Sequence, residues 1–193
     1  YACKLGDFRN WNSFAGLSTD SYAASRGSDG AFTGAAACLG GVIFFKEDCL
    51  ERVYPSASGA HQIVTVRCPG VKKGCGGSAA LVDGTLFYVG VSGVYAFDGS
   101  MPSCVSQPLG SVRYESAVAA GWNGQYWLAA RDDAGQRHVL VYDTAHGLWH
   151  RQDDADIMAF AVCGGTLYAA VRGGALLDLT GGSGETEETV RWM

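Results

Sequence analysis

Four times along the chain a glycine is followed at once by an apolar, aromatic-rich run: Gly41-Val-Ile-Phe-Phe45, Gly84-Thr-Leu-Phe-Tyr88, Gly124-Gln-Tyr-Trp-Leu128 and Gly165-Thr-Leu-Tyr-Ala169. Successive first glycines lie 43, 40 and 41 residues apart. A short apolar segment precedes three of the copies: Ala79-Ala-Leu-Val82, Ser116-Ala-Val-Ala-Ala120 and Met158-Ala-Phe-Ala-Val162. Behind the aromatic runs come turn residues (Ser92-Gly93, Asp132 to Gly135, Gly173-Gly174) and a further apolar segment: Val94-Tyr-Ala-Phe-Asp98, Val139-Leu-Val-Tyr-Asp143 and Ala175-Leu-Leu-Asp178. Aromatic and β-branched residues in short runs, bounded by glycine turns, predict antiparallel strands. No sustained i, i+3, i+4, i+7 apolar pattern survives the glycines, so helices are expected to be nearly absent.

Each repeat therefore reads as three or four short antiparallel strands that cannot bury both faces alone. Units of about 40 residues with that property predict a β-propeller-like array of about four blades. A β-sandwich is the alternative, since it also has many short strands, but it does not require the repeat. The expected organisation is a lead-in segment, 1–30, that completes the ring, then units at about 31–70, 71–112, 113–155 and 156–182. Residues 183–193 are read as a strand or linker into a further part of a longer protein, from which the chain, opening at Tyr1, is expected to be a fragment.

Composition narrows the class. Of 193 residues, 48% are hydrophobic and 17% charged, against a usual charged share of roughly 25%, which disfavours long disorder and coiled coils. The 28 glycines have no three-residue period and there are only 4 prolines, which excludes collagen. The longest apolar stretch, 31–45, is broken by Thr33, Gly34, Gly40 and Gly41, short of the roughly 20 apolar residues a membrane helix needs. A net charge of −5, with only Lys72 and Lys73 adjacent among the basic residues, argues against a nucleic-acid binder. No membrane partner is expected either. The 7 cysteines are odd in number and irregularly spaced, as expected of reduced thiols rather than a secreted disulfide framework.

The most site-like cluster is Cys68-Pro-Gly-Val-Lys-Lys-Gly-Cys75, with Cys49 and His61 upstream. Zinc sites favour two to four residues between paired thiolates, and six intervene here. Metal, a loop-closing disulfide and free thiols all stay open, with free thiols favoured. His61, His138, His146 and His150 read as surface or turn residues. Gly74-x-Gly76-x-x-Ala79 precedes a strand instead of linking strand to helix, so it is no dinucleotide fingerprint, and no nucleophile elbow is present. Asp83, Asp98, Asp143 and Asp178 recur near strand ends, which suits turn chemistry better than a glycosidase pair. Asp153, Asp154 and Asp156, like Glu185, Glu187 and Glu188, read as solvated acids. Asp132-Asp133-Ala-Gly135 lacks the alternating ligands of a calcium loop. No catalytic, cofactor-binding or metal residue is assigned, and no cofactor is expected. Of the tryptophans, Trp11, Trp149 and Trp192 are the least constrained, and Trp11 and Trp149 are candidate stacking platforms for a glycan.

Val141-Tyr-Asp-Thr-Ala-His-Gly-Leu-Trp149 resembles a kelch blade in part, with double glycines at Gly40-Gly41 and Gly164-Gly165. A longer stretch resembles blades of propeller-like phage and prophage structural proteins of Gram-positive bacteria. It comprises Phe45-Lys-Glu47, Gly70-Val71, Gly74-Cys75, Ser78 to Gly84, Leu86-Phe-Tyr88, Gly93-Val-Tyr95, Asp98-Gly99 and Pro102. The resemblance implies a non-enzymatic module of a neck, tail or head-completion assembly. Its partners would be other particle proteins or a homo-oligomeric ring, and its location the virion, or the bacterial cytoplasm during assembly. A carbohydrate-binding or glycoside-processing propeller is the alternative.

Overall fold

The structure is a computed structural model and describes residues 2–17, 19–23, 28–55, 61–180 and 191–192. It is all-β, with one short 3-10 turn at Gln107–Leu109 among the described residues. The first sheet contains β1 (Gly34–Cys38), β2 (Gly41–Phe45), β3 (Cys49–Pro55) and β4 (His61–Arg67). The second contains β5 (Ala80–Val82), β6 (Thr85–Gly90), β7 (Gly93–Phe97) and β8 (Ser103–Cys104). The third contains β9 (Tyr114–Trp122), β10 (Gln125–Asp132), β11 (Arg137–Asp143) and β12 (Leu148–Asp153). The fourth contains β13 (Ile157–Cys163), β14 (Thr166–Val171) and β15 (Leu176–Asp178). Within each sheet the strands pair in chain order and antiparallel. A final strand, β16 (Arg191–Trp192), pairs with the outer edge of the third sheet along β12.

The first hairpin of every sheet closes on two residues of positive φ: Leu39-Gly40, Asp83-Gly84, Asn123-Gly124 and Gly164-Gly165. Both central residues of such a turn must be left-handed, and the turn's twist matches that of the strands it joins. In the first repeat the turn glycine is Gly40, one residue ahead of the Gly41 that the sequence pattern singles out. Gly41 opens β2 instead, and there a Cβ would run into the carbonyl oxygen of Val53.

Successive sheets meet through their first strands or the segments leading into them, and through their broad faces. β9 lies against both β5 and β13. The Ala119 amide donates to the Gly77 carbonyl at 2.9 Å, beside a parallel bridge from Gly77 to Val118. Gly76 abuts Gly34 at the start of β1, so closely that a Cβ at Gly76 would strike the Thr33 carbonyl. No ring or barrel closure is seen among the described residues.

One continuous core joins the first three sheets. Phe45 packs on Tyr88 (5.0 Å between ring centroids), Phe87 on Tyr126 (5.3 Å) and Tyr142 on Trp149 (4.9 Å). Burial on both faces explains why β6 and β10 read as unbroken apolar runs rather than alternating ones. Ser78 ties the sheets together: its hydroxyl donates to Cys75 and accepts from the Val89 amide, while its carbonyl accepts from the Tyr126 hydroxyl. Between the third and fourth sheets the contacts form two smaller clusters, around Ala129, Val139, Ile157 and Ala169 and around Trp127, Val141 and Leu167.

The outward face of the first sheet is partly covered by residues 28–33. Ser28 Oγ donates to Glu51 Oε1 at 2.6 Å, and Thr65 Oγ1 donates to Glu51 Oε2 at 2.7 Å. Lys46 Nζ donates to Ser28 Oγ at 2.8 Å and lies 5.0 Å from the Phe32 ring centre, whose ring meets Phe44. Glu51 and Lys46 are both buried, a burial that would be costly for either charge without such partners.

Candidate binding surfaces

The Cys68–Cys75 segment is a packed connection between the first two sheets. Both thiols are free and buried, near the carbonyls of Val66 and Tyr114. Burial raises both to about 11, so neither is a thiolate near neutral pH and neither is a ready nucleophile or metal ligand. The Pro69 carbonyl accepts from the Tyr88 hydroxyl, and a Cβ on Gly70 would collide with the Lys46 carbonyl. Among the described residues no three metal-ligating side chains gather.

The recurring aspartates hold turns. Asp98 Oδ1 accepts from the Ser100 amide, Asp143 Oδ1 from the amides of Ala145 and His146, and Asp178 Oδ1 from the Thr180 amide. Asp83 occupies a left-handed turn position. Asp132 Oδ1 accepts from the Gln136 amide at 2.7 Å, and its Oδ2 lies 2.8 Å from His138 Nε2. That bond to His138, ahead of all other causes, holds its carboxyl below the ordinary value. His146 does the same for Asp143. His61 lies against the Tyr22 ring, and His150 is half-buried in β12.

Trp149 does not offer the exposed platform that a glycan would need. It is 2% exposed and its Nε1 donates to the Val105 carbonyl, because β12 turns its ring onto Tyr142 and Tyr126. Tyr126 and Trp127 are both buried, on opposite faces of the third sheet. Trp11 is exposed. The side chain of Trp192 and the acids Glu185, Glu187 and Glu188 lie outside the described residues.

Two surfaces stand out. One is the outward face of the fourth sheet. Leu167 and Ala169 point to the third sheet, so strand alternation places Ala161 with Tyr168, and Ala159 with Ala170 and Leu176, on the opposite side. Ala159, Ala161 and Cys163 are exposed, Leu176 is 67% exposed, and Asp178 is the charged residue of β15 there.

The other is a groove of about 220 Å³ where the third and fourth sheets diverge. Ala117, Ala129, Ala130 and Ile157 line it, and three guanidinium groups, of Arg131, Arg137 and Arg172, border it with one carboxylate, that of Asp156. Arg172 Nε lies 2.9 Å and Arg137 Nη1 3.6 Å from Asp156 Oδ2. Asp156 is thus a half-buried bridge between two arginines and departs from the solvated-acid expectation. Arg131 and Arg137 are direct cross-strand partners, and Arg131 has no ion pair among the described residues. The sequence reading missed all three arginines. The available signal was their symmetric placement about the Asp132–Gln136 turn, which makes Arg131 and Arg137 neighbours in any hairpin closing there.

Among the described residues no helix is long and apolar enough to cross a membrane. No protein-family model matches the chain, and no curated protein matches it.

Proposed function

We propose that the chain is a non-enzymatic binding module, its four sheets the blades of a propeller-like array, and that it serves as an assembly component of a phage or prophage particle. Support for the blade arrangement comes from four consecutive meanders, the first strands of the last three lying side by side, and from the repeated left-handed turn that opens each one. The observation that carries the assembly role is the outward face of the fourth sheet: a broad apolar surface, nearly free of charge, on a chain of net charge −5. Contiguous apolar surface of this kind marks interaction sites on folded proteins. The partners on this reading are other particle proteins, met through sheet faces and loops by shape complementarity and without chemistry. The phage assignment itself rests on the resemblance of residues 45–102. The glycan reading loses Trp149 as a platform and keeps Trp11.

Mass spectrometry of particles released on induction of a lysogen carrying the gene tests the proposal. Peptides of the protein at a few copies per intact particle, lost when Ala161→Asp places a charge on the fourth sheet's outward face, are the expected result. Absence from intact particles, with the protein left in cells or medium, overturns it.

A further inference from the structure

The groove between the third and fourth sheets carries a directly opposed pair of arginines, as the edge between β12 and β16 also does with Arg151 and Arg191. Like charges directly opposite on neighbouring strands destabilise a sheet, yet Arg131 and Arg137 face each other across β10 and β11. Both lie on the side that Ala129, Val139 and Val141 turn toward the fourth sheet. Arg172 arrives from the end of β14, so three arginines line the groove beside the single carboxylate of Asp156. Arg172 and Arg137 share that carboxylate, which leaves Arg131 without an ion pair among the described residues, in a chain whose overall charge is −5. Local rules broken without a structural return mark functional positions. A guanidinium presents parallel N–H donors, the fork that receives a carboxylate in bidentate fashion. Asp156 shows arginine–carboxylate pairing satisfied from within, its Oδ2 shared by Arg172 and Arg137.

The remaining wall sets the rest of the ligand. Ala117, Ala129, Ala130 and Ile157 offer methyl and methylene surface, and Ser116 adds one hydroxyl-bearing residue to the lining. The volume, about 220 Å³, falls below the roughly 300–1,000 Å³ of drug-sized sites. We infer that this groove binds a small organic acid, its carboxylate held by Arg131 and Arg137 and its short apolar body resting on the alanine floor. Asp156 favours a singly charged carboxylate over a dianion, because its own charge stands beside the site. This site is separate from the outward face of the fourth sheet and does not depend on the assembly reading.

Butyrate serves as the probe, titrated into the full chain and followed by amide chemical shifts, with butyramide and inorganic phosphate as controls. The expected result is saturable shifts confined to residues 116–118, 129–137, 155–158 and 172 with butyrate. Binding should weaken by about tenfold or more in butyramide and in Arg131→Gln, the loss expected when a charge-assisted bond disappears. Arg131→Gln also relieves the repulsion from Arg137, so its melting temperature should equal or exceed that of the parent. That result separates lost binding from lost folding. Absence of saturable shifts with butyrate overturns the inference. So does butyramide binding as well as butyrate, phosphate binding as tightly, or Arg131→Gln binding unchanged.

Discussion

The two faces of the third sheet meet very different neighbours. Toward the second sheet, β10 presents Tyr126 and Leu128 to a core of large rings, with Phe87, Tyr142 and Trp149 interlocked around them. Toward the fourth sheet the same strand presents Trp127, Ala129 and Arg131, and what it meets is Ile157, Leu167 and Ala169. Large side chains fill the first interface. At the second, packing is confined to one end, and alanines leave a groove at the other. Among the described residues the fourth sheet also has three strands and leaves its far side open, whereas residues 28–33 shield part of the first sheet. Stability is therefore concentrated in the first three sheets, and the groove and the open face are features of the fourth.

The sharpest way to break this contrast is Tyr126→Ala. It removes a fully buried ring and the bond to Ser78, and aromatic-to-alanine changes in cores cost about 3–5 kcal/mol. Urea unfolding should show the midpoint falling for probes in all of the first three sheets together. Leu167→Ala, at the other interface, should cost about 2 kcal/mol, the lower end of the range for such changes. Its effect should be local. Hydrogen exchange is expected to accelerate in β13 and β14 while amides of β6 and β10 keep their protection; uniform acceleration would show one cooperative unit instead.

A smaller effect tests the rim of the third sheet by acid. Asp132 has its carboxyl lowered by His138, so the bond contributes stability above the ordinary carboxylate range. That contribution is lost as pH falls through the lowered value. Asp132→Asn should therefore flatten the decline in melting temperature between about pH 5 and pH 3. The smallest change perturbs nothing. Iodoacetamide at mildly alkaline pH should label exposed Cys163 of the fourth sheet and spare Cys68 and Cys75, whose thiols are buried and raised to about 11. Labelling of Cys68 without denaturant would show that the first interface opens as readily as the last.

Much of this contrast was readable in the chain, and some of it was not. The repeat and its strand content follow from the glycines and from runs such as Gly84-Thr-Leu-Phe-Tyr88, because a hairpin turn and a pleated strand are local features. The first copy is displaced by one residue, since Gly40 and Gly41 are adjacent and only strand pairing shows which of them turns. The burial of Trp149 is a tertiary fact: Val105, which accepts its indole hydrogen bond, lies 44 residues back in the chain, just after β8. The arginine groove joins residues 131, 137 and 172 through two sheets, a proximity that no local spacing encodes. Asp98, Asp143 and Asp178 were legible as turn residues because each bonds a backbone amide two or three residues on.

The two-residue turns have a consequence for how the chain is made. Apart from β16, which joins the edge of the third sheet, every sheet is assembled from one contiguous stretch, with its first hairpin closed by the shortest of loops. Loop-closure entropy is correspondingly small, and pairing of this local kind forms faster than pairing between distant segments. On a ribosome the first sheet could pair before the last had been synthesised, leaving each new sheet a finished face to settle on.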